Sequence, residues 1–421
     1  MTAPVITGLG IVAPNGLGVQ DYWASTLRGD SGINRVSRFD PAGYPTQLAG
    51  EVTIDAGRLL PNRLLPQTDH MTRLALITAE EALADASADP REMPEFAAGV
   101  VTAASAGGFE FGQRELAALW RKGGQYVSAY QSFAWFYPVN TGQISIRHGM
   151  RGPSGAVVAE QAGGLDAIAK ARRNVRSGTP LMLTGGVDGS LCPWSLLCMT
   201  RSGQLSTRTD PLRAFLPFDA DAGGYVPGEG GALVVLEDPN VARQRGVASV
   251  YGEVAGYAAT FDPPPWSSGV PGLRHAIELA LADAGMRPNN IDVVFADASG
   301  LPELDRLEAD VLAAIFGART VPVTAPKTMT GRLLAGGAAL DVATALLAMR
   351  DSVVPPTVHI DQPAHSDSID LVLGAPREIP LASALVVARG YGGFNSAMVL
   401  RAGRTLLTPP SGSPERTDEH G

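Results

Sequence analysis

Apolar positions along the chain fall into two alternating patterns. Short uninterrupted apolar runs at Val5–Thr7, Ala97–Ala104, Ala156–Ala159, Leu181–Val187 and Ala232–Leu236 read as strands buried on both faces. Between them the apolar residues recur at helical spacing, over Asp21–Leu27, Thr72–Ala86, about Glu110–Trp120 and Ala162 to about Ser177. In the second of these, Arg73, Glu80, Glu81 and Asp85 gather on one arc, and Ala and Leu hold the rest. The layout then repeats: a strand at Val250–Ala255, a loop over 261–268, and a helix at Gly272–Ala284 opened by Pro271 and closed by Gly285. Asp292–Ala296 follows as a strand, Leu304–Phe316 as a helix, Val321–Thr324 as a strand and Ala338–Met349 as a helix. Strands at Leu371–Leu373, Leu385–Ala388 and Ala397–Leu400 complete the series. Such alternation predicts an α/β fold with mostly parallel, mixed sheets in two similar halves, residues 1–245 and 246–403. The polar end, 404–421, predicts a disordered tail.

Composition narrows the functional classes. The chain has 421 residues, 45% hydrophobic and 18% charged, enough for a large core. A net charge of −9 argues against nucleic acid, which selects basic stripes. Two basic clusters, Arg114/Arg121/Lys122 and Arg172/Arg173/Arg176, read as solvated helix faces; either would be needed to attract an acidic partner. Cys192 and Cys198 are too few for a disulfide scaffold and lack zinc-ligand spacing, so they are expected as two reduced, buried thiols in a cytoplasmic protein. The start, MTAPVITGLG, carries no basic-then-apolar leader, and no run predicts a membrane span. Gly8, Gly10 and Ala13 fit a loose dinucleotide pattern, but Pro14 and Gly16 fall where its helix should run, so a tight turn is expected there.

Candidate chemistry centres on SGAVVAEQAGGLD, residues 154–166. It predicts a buried strand, a turn and a helix, with Gln161 at the junction, where free helix N–H groups face a pocket. Enzymes seat Cys or Ser at such a position; a carboxamide is no nucleophile. A second candidate is the aromatic-rich segment 107–137, in which Phe109, Gly112 and Leu116 share a helix face. That face is either core packing or the wall of an apolar tunnel or subunit contact.

VITGLGIVAPNG at the start, PFDADAGGYVPGEGGALVVLE in the middle, APKTMTGRLLAGG later and RGYGGFNSAMVL near the end together resemble the β-ketoacyl synthases of the thiolase fold. The resemblance implies a layered αβαβα thiolase-like fold. Working members use a Cys and two His. The Cys position is Gln161 here, the first His position, in Ala296–Leu301, is Asp297, and the second, in Lys327–Arg332, is Arg332; Lys327 is kept. VAEQAGGLDA resembles the chain length factors, the β subunits of type II aromatic polyketide synthases. Such a subunit pairs with a catalytic ketosynthase, works with a phosphopantetheinylated acyl carrier protein, and needs no cofactor of its own.

The resemblance therefore implies a non-condensing subunit that sets poly-β-ketone length through an interface tunnel walled by Phe109, Gly112, Leu116, Phe133 and Trp194. The openness at Gly112 leans toward about ten or more ketide units rather than about eight. Two other readings stand beside it: a malonyl-carrier decarboxylase using the Gln161 amide, and a partner that only stabilises the catalytic subunit. If the family geometry holds, Asp297 and Arg332 meet as opposite charges in the vacated cavity.

Overall fold

Thirteen consecutive buried residues, Gly337–Met349, make the helix Gly337–Asp351 apolar all round and put it at the centre of the molecule. The computed structural model describes residues 3–264, 270–403 and 405–406. In the first half the principal strands are β1 (Val5–Ala13), β2 (Ala98–Ala103), β3 (Ser154–Val157), β4 (Leu181–Asp188) and β5 (Gly230–Glu237). The second half contributes β6 (Gly252–Phe261), β7 (Val293–Phe295), β8 (Pro322–Thr324), β9 (Asp370–Leu371), β10 (Ser383–Gly390) and β11 (Phe394–Ala402). The principal helices are α1 (Gly18–Arg28), α2 (His70–Asp85), α3 (Phe109–Lys122), α4 (Val139–His148), α5 (Gly163–Arg176) and α6 (Pro193–Thr200), then α7 (Gly272–Ala284), α8 (Pro302–Phe316) and α9 (Gly337–Asp351).

Strand order runs β9-β8-β7-β10-β11-β6-β1-β5-β4-β2-β3. The two halves repeat one arrangement and join edge to edge where Val5 and Ile6 of β1 meet Glu253 and Gly252 of β6. α5 and α9 lie between the two halves of this sheet in a shared core. They cross so closely that a Cβ on Gly164 would stand 2.7 Å from the Ala339 nitrogen. α2 and α4 cover the outer face of the first half, α7 and α8 that of the second, completing the five layers.

The crossover strands β2, β3 and β4, and likewise β7, β8, β9 and β10, pair in parallel. Antiparallel ladders take as large a share: β4–β5, β5–β1, β10–β11 and β11–β6. Gly390–Phe394 turns β10 directly into β11, a connection too short for a parallel crossover.

Several expectations change. β1 does not stop at Thr7. Gly8 and Gly10 lie inside it, where a Cβ would meet the α2 carbonyls of Ala82 at 2.3 Å and Thr78 at 2.0 Å, so these glycines serve close packing rather than a turn. β3 sits at the sheet edge and is half exposed, not buried. Residues 238–246, assigned no element from the sequence, hold a short helix, Pro239–Gln244, capped by Asp238. α4 and α6 are absent from the elements read along the sequence; α6, with only eight residues, is short and weakly periodic. Cys192 is buried but Cys198 is exposed, because α6 turns it outward. Arg172 is no solvated residue: it is buried and bonds Asp283 of α7 and the Ala255 carbonyl, both at 2.5 Å. Order also continues beyond residue 403, since Leu406 packs beside Val5, Ala242 and Val250. The rest of the expected tail, residue 404 and 407–421, and positions 265–268 of the Pro-rich loop lie outside the described residues.

Candidate functional site

Past β3 the chain enters the strand–helix junction through Glu160, whose φ of 48° is left-handed, a strained conformation for a residue with a side chain. The Glu160 carboxylate holds the bend by accepting the Tyr391 N–H at 2.6 Å and the Gln161 N–H at 3.1 Å. Gln161 follows, 5% exposed, at the mouth of α5. Its Oε1 presses on the start of α9, where a Cβ on Gly337 would lie 3.2 Å away. Its Nε2 meets no acceptor among the described residues. The void beside it, bounded also by Tyr22, Lys327 and Asp341, measures about 10 Å³. That is room for at most one water.

The other two chemical positions meet across 35 residues of sequence. Arg332 donates from Nη2 to Asp297 Oδ1 at 3.0 Å and from Nη1 to Oδ2 at 3.2 Å, a bidentate pair with both side chains at most 5% exposed. The same guanidinium bonds the carbonyls of Asp297 at 2.9 Å and Arg389 at 3.1 Å, and lies over the Tyr225 ring. Asp297 also accepts the Arg389 N–H at 2.9 Å. Burial opposes both charges, yet Arg332 and Lys327 hold the Asp297 carboxyl below the usual carboxylate range, and Asp297 holds Arg332 above its own.

A second layer of charge surrounds this pair. Lys327 bridges Asp341 at 2.8 Å and reaches the Ala296 carbonyl. Burial dominates at Asp341 and raises its carboxyl despite that lysine. Glu308 accepts the N–H groups of Asp297 at 2.7 Å and Ala298 at 2.9 Å, fixing the loop at a residue, Ala298, with φ of 49°. Burial, with Asp297 nearby, pushes Glu308 up to about 7. Outside lies an open cavity of about 390 Å³ lined by Glu160, Tyr225, Asp262, Asp297, Arg332 and Arg389. Arg332 borders both this vestibule and the void at Gln161, so its ion pair stands between them. The strand–helix seat holds an amide in place of a nucleophile, and an occupied guanidinium stands where a free neutral donor would be needed.

The remaining candidates cluster around α3. Phe109 stacks on Trp194 with ring centroids 4.7 Å apart. Gly112 is covered by this chain's own segment 131–135: a Cβ there would sit 3.6 Å from Trp135 Cβ and 3.9 Å from Gln131 Nε2. Phe133 of that segment packs edge-on to Tyr130. Leu116, Trp135, Phe136, Tyr137, Trp194 and Leu197 all remain exposed, and Trp120 is 83% exposed. An apolar aromatic face of this kind marks a surface made for a partner. Arg114 stays at the surface over the Phe111 ring. Glu160, Glu308 and Arg389 were not legible as site residues; Arg389 opens the RGYGG motif, whereas the two glutamates give no local signal.

Among the described residues no helix is long and apolar enough to cross a membrane, and no group of three His, Cys, Asp or Glu is placed to hold a metal ion.

Residues 3–242 match the β-ketoacyl synthase N-terminal domain and residues 251–361 its C-terminal domain. The chain is 62% identical, over 95% of its length and 99% of the relative's, to the tetracenomycin polyketide synthase ketoacyl synthase beta subunit of Streptomyces glaucescens. It is 31% identical to the 3-oxoacyl-[acyl-carrier-protein] synthase 2 of Coxiella burnetii, over 94% and 97% of the two chains. Two solved structures superpose over 95% of this chain and 99% of theirs at 26% identity. One is the ishigamide ketosynthase/chain length factor, with a TM-score of 0.85. The other is a type II polyketide synthase acyl-carrier protein in complex with its ketosynthase bound to the hexaketide, with a TM-score of 0.83.

Proposed function

The chain belongs to the β-ketoacyl synthase family, and we propose that within it the protein is the non-condensing β subunit, or chain length factor, of a type II polyketide synthase. It pairs with a catalytic ketosynthase, receives the growing poly-β-ketone at their shared face, and works in the cytoplasm with an acyl carrier protein. The observation that carries this reading is the conversion of the condensing centre into a packed ionic core. An amide holds the thiol's seat, and Asp297 and Arg332 close on each other where the two histidines belong. Such a centre cannot hold an acyl thioester. The exposed aromatic face around α3 supplies the surface that the pairing needs.

Gln161 is idle in this reading, filling its seat rather than decarboxylating malonyl units. What supports this is the void of about 10 Å³ and the ion pair between it and the vestibule. Co-expression with a catalytic ketosynthase tests the proposal. Equal-stoichiometry co-purification is expected, with a shorter product from Gly112→Phe, because a phenyl ring at that position pushes into Trp135 and Gln131 and narrows the space α3 bounds. Condensation by this chain purified alone would overturn the proposal.

A further inference from the structure

The helix that carries Phe109, Gly112 and Leu116 cannot cap itself. Gly108 stands at its N-cap and offers no side chain, so the first-turn N–H groups need an outside acceptor. Asp69 supplies it from another helix. This residue, 3% exposed, is the N-cap of α2, where Oδ1 accepts the Met71 N–H at 3.0 Å. Its second oxygen, Oδ2, accepts the Phe111 N–H in the first turn of α3 at 2.7 Å. One carboxylate thus caps two helices. The fit is close, since a Cβ on Gly108 would stand 2.9 Å from Asp69 Cβ and 2.2 Å from the Ala134 carbonyl. Two further side chains of α3 tie it to neighbouring segments: Gln113 Oε1 accepts the Trp194 N–H, and buried Glu115 Oε2 the Ser128 N–H, each at 2.7 Å.

We propose that Asp69 is a positioning residue for product length: it fixes the register of α3, and so of Phe109 and Gly112, without itself bordering the growing chain. This rests on the reading of α3 as the end of the tunnel. Its shared oxygens make the role separable from folding. Asparagine caps helices as well as aspartate does, so Asp69→Asn keeps the α2 cap. Its other branch is then an NH₂ group, which turns a donor toward the Phe111 N–H and loses the tie to α3.

The test is product length by mass spectrometry from the co-purified heterodimer, with Gly112→Phe in parallel. Asp69→Asn is expected to assemble normally and to lower the major-length product relative to other lengths by about tenfold, as loss of a hydrogen bond to a charged group implies. A second arm uses the wild-type complex. Burial pushes the Asp69 carboxyl up to about 6, so acidification through that value protonates one oxygen and mimics the amide. Glu110 and Arg73 act on it by charge; the nearby Arg38 stays cationic, and burial moves His70 down to about 3 and Cys192 up to about 11, so neither of those titrates there. Wild-type product is expected to broaden below about pH 6, while Asp69→Asn product is the same on both sides. If Gly112→Phe shifts length but Asp69→Asn and acid do not, the positioning role is wrong. If Gly112→Phe also leaves length alone, the tunnel reading itself has failed.

Discussion

Consider Arg332→Met in the assembled heterodimer. The substitution keeps bulk and removes the charge from a pair in which both side chains are at most 5% exposed. Asp297 retains the Arg389 N–H at 2.9 Å but loses its bidentate partner, and the carbonyls of Asp297 and Arg389 each lose a donor. Removing one member of a buried pair costs about 3–5 kcal/mol. Set against a total of about 5–15 kcal/mol, that brings the subunit near its limit. Asp297→Asn leaves the guanidinium buried without a counter-charge and is expected to cost a comparable amount. The double variant buries neither charge, so its cost should fall below the sum of the singles by about 2 kcal/mol or more. The assay is urea unfolding at fixed protomer concentration, repeated from pH 8 to pH 5. Wild-type Asp297 has a depressed folded value, so the stability it contributes is present above its unfolded value and lost only as pH falls below that. Without Arg332, burial raises the same carboxyl, so Arg332→Met should regain more stability on acidification than wild type, whose own gain comes from other raised carboxyls such as Glu308. Additive single substitutions with no such recovery would refute the argument that these charges stabilise one another.

Gln161→Cys restores a thiol at a helix N-terminus, yet it should gain neither condensation nor an acyl adduct by intact mass, because the void there is about 10 Å³ and the Asp297–Arg332 pair blocks the approach; an acyl-enzyme would contradict the closed seat. Glu308→Gln should flatten the pH dependence of stability. Burial raises this carboxyl from 4.5 to about 7, so the folded state binds more protons than the unfolded one between those values and wild-type stability falls as pH rises through that window, by on the order of 3 kcal/mol. Unfolding curves whose slope against pH is unchanged in the variant would assign the effect to another group.

Much of the fold was legible along the chain. The helix Gly272–Ala284 was bounded by its flanking Pro271 and Gly285, and the structure ends it at the same residues. The two-half layout followed from the alternation of strands and helices. Errors arose where a residue type has two uses. Gly8 and Gly10 read as a turn, yet they lie within β1 and let it approach α2. Arg172 read as a solvated charge, yet it ties α5 to α7. Within the site, the family motifs pointed to positions 161, 297, 327 and 332, while Glu308 and Asp69 gave no signal of their second roles.

The sequence by itself determined what this centre cannot do: no folding of the chain turns an amide at 161 into a thiolate, or Asp297 and Arg332 into neutral imidazoles. It also settled the alternation of elements, because periodicity is a property of near neighbours. Only the tertiary structure decided what replaced the lost chemistry. Arg332 meets Asp297 across 35 residues and Asp69 meets Phe111 across 42. Such contacts depend on strand order and helix packing rather than on local spacing. Burial then sets their strength, since the same charges in water would hold each other only weakly.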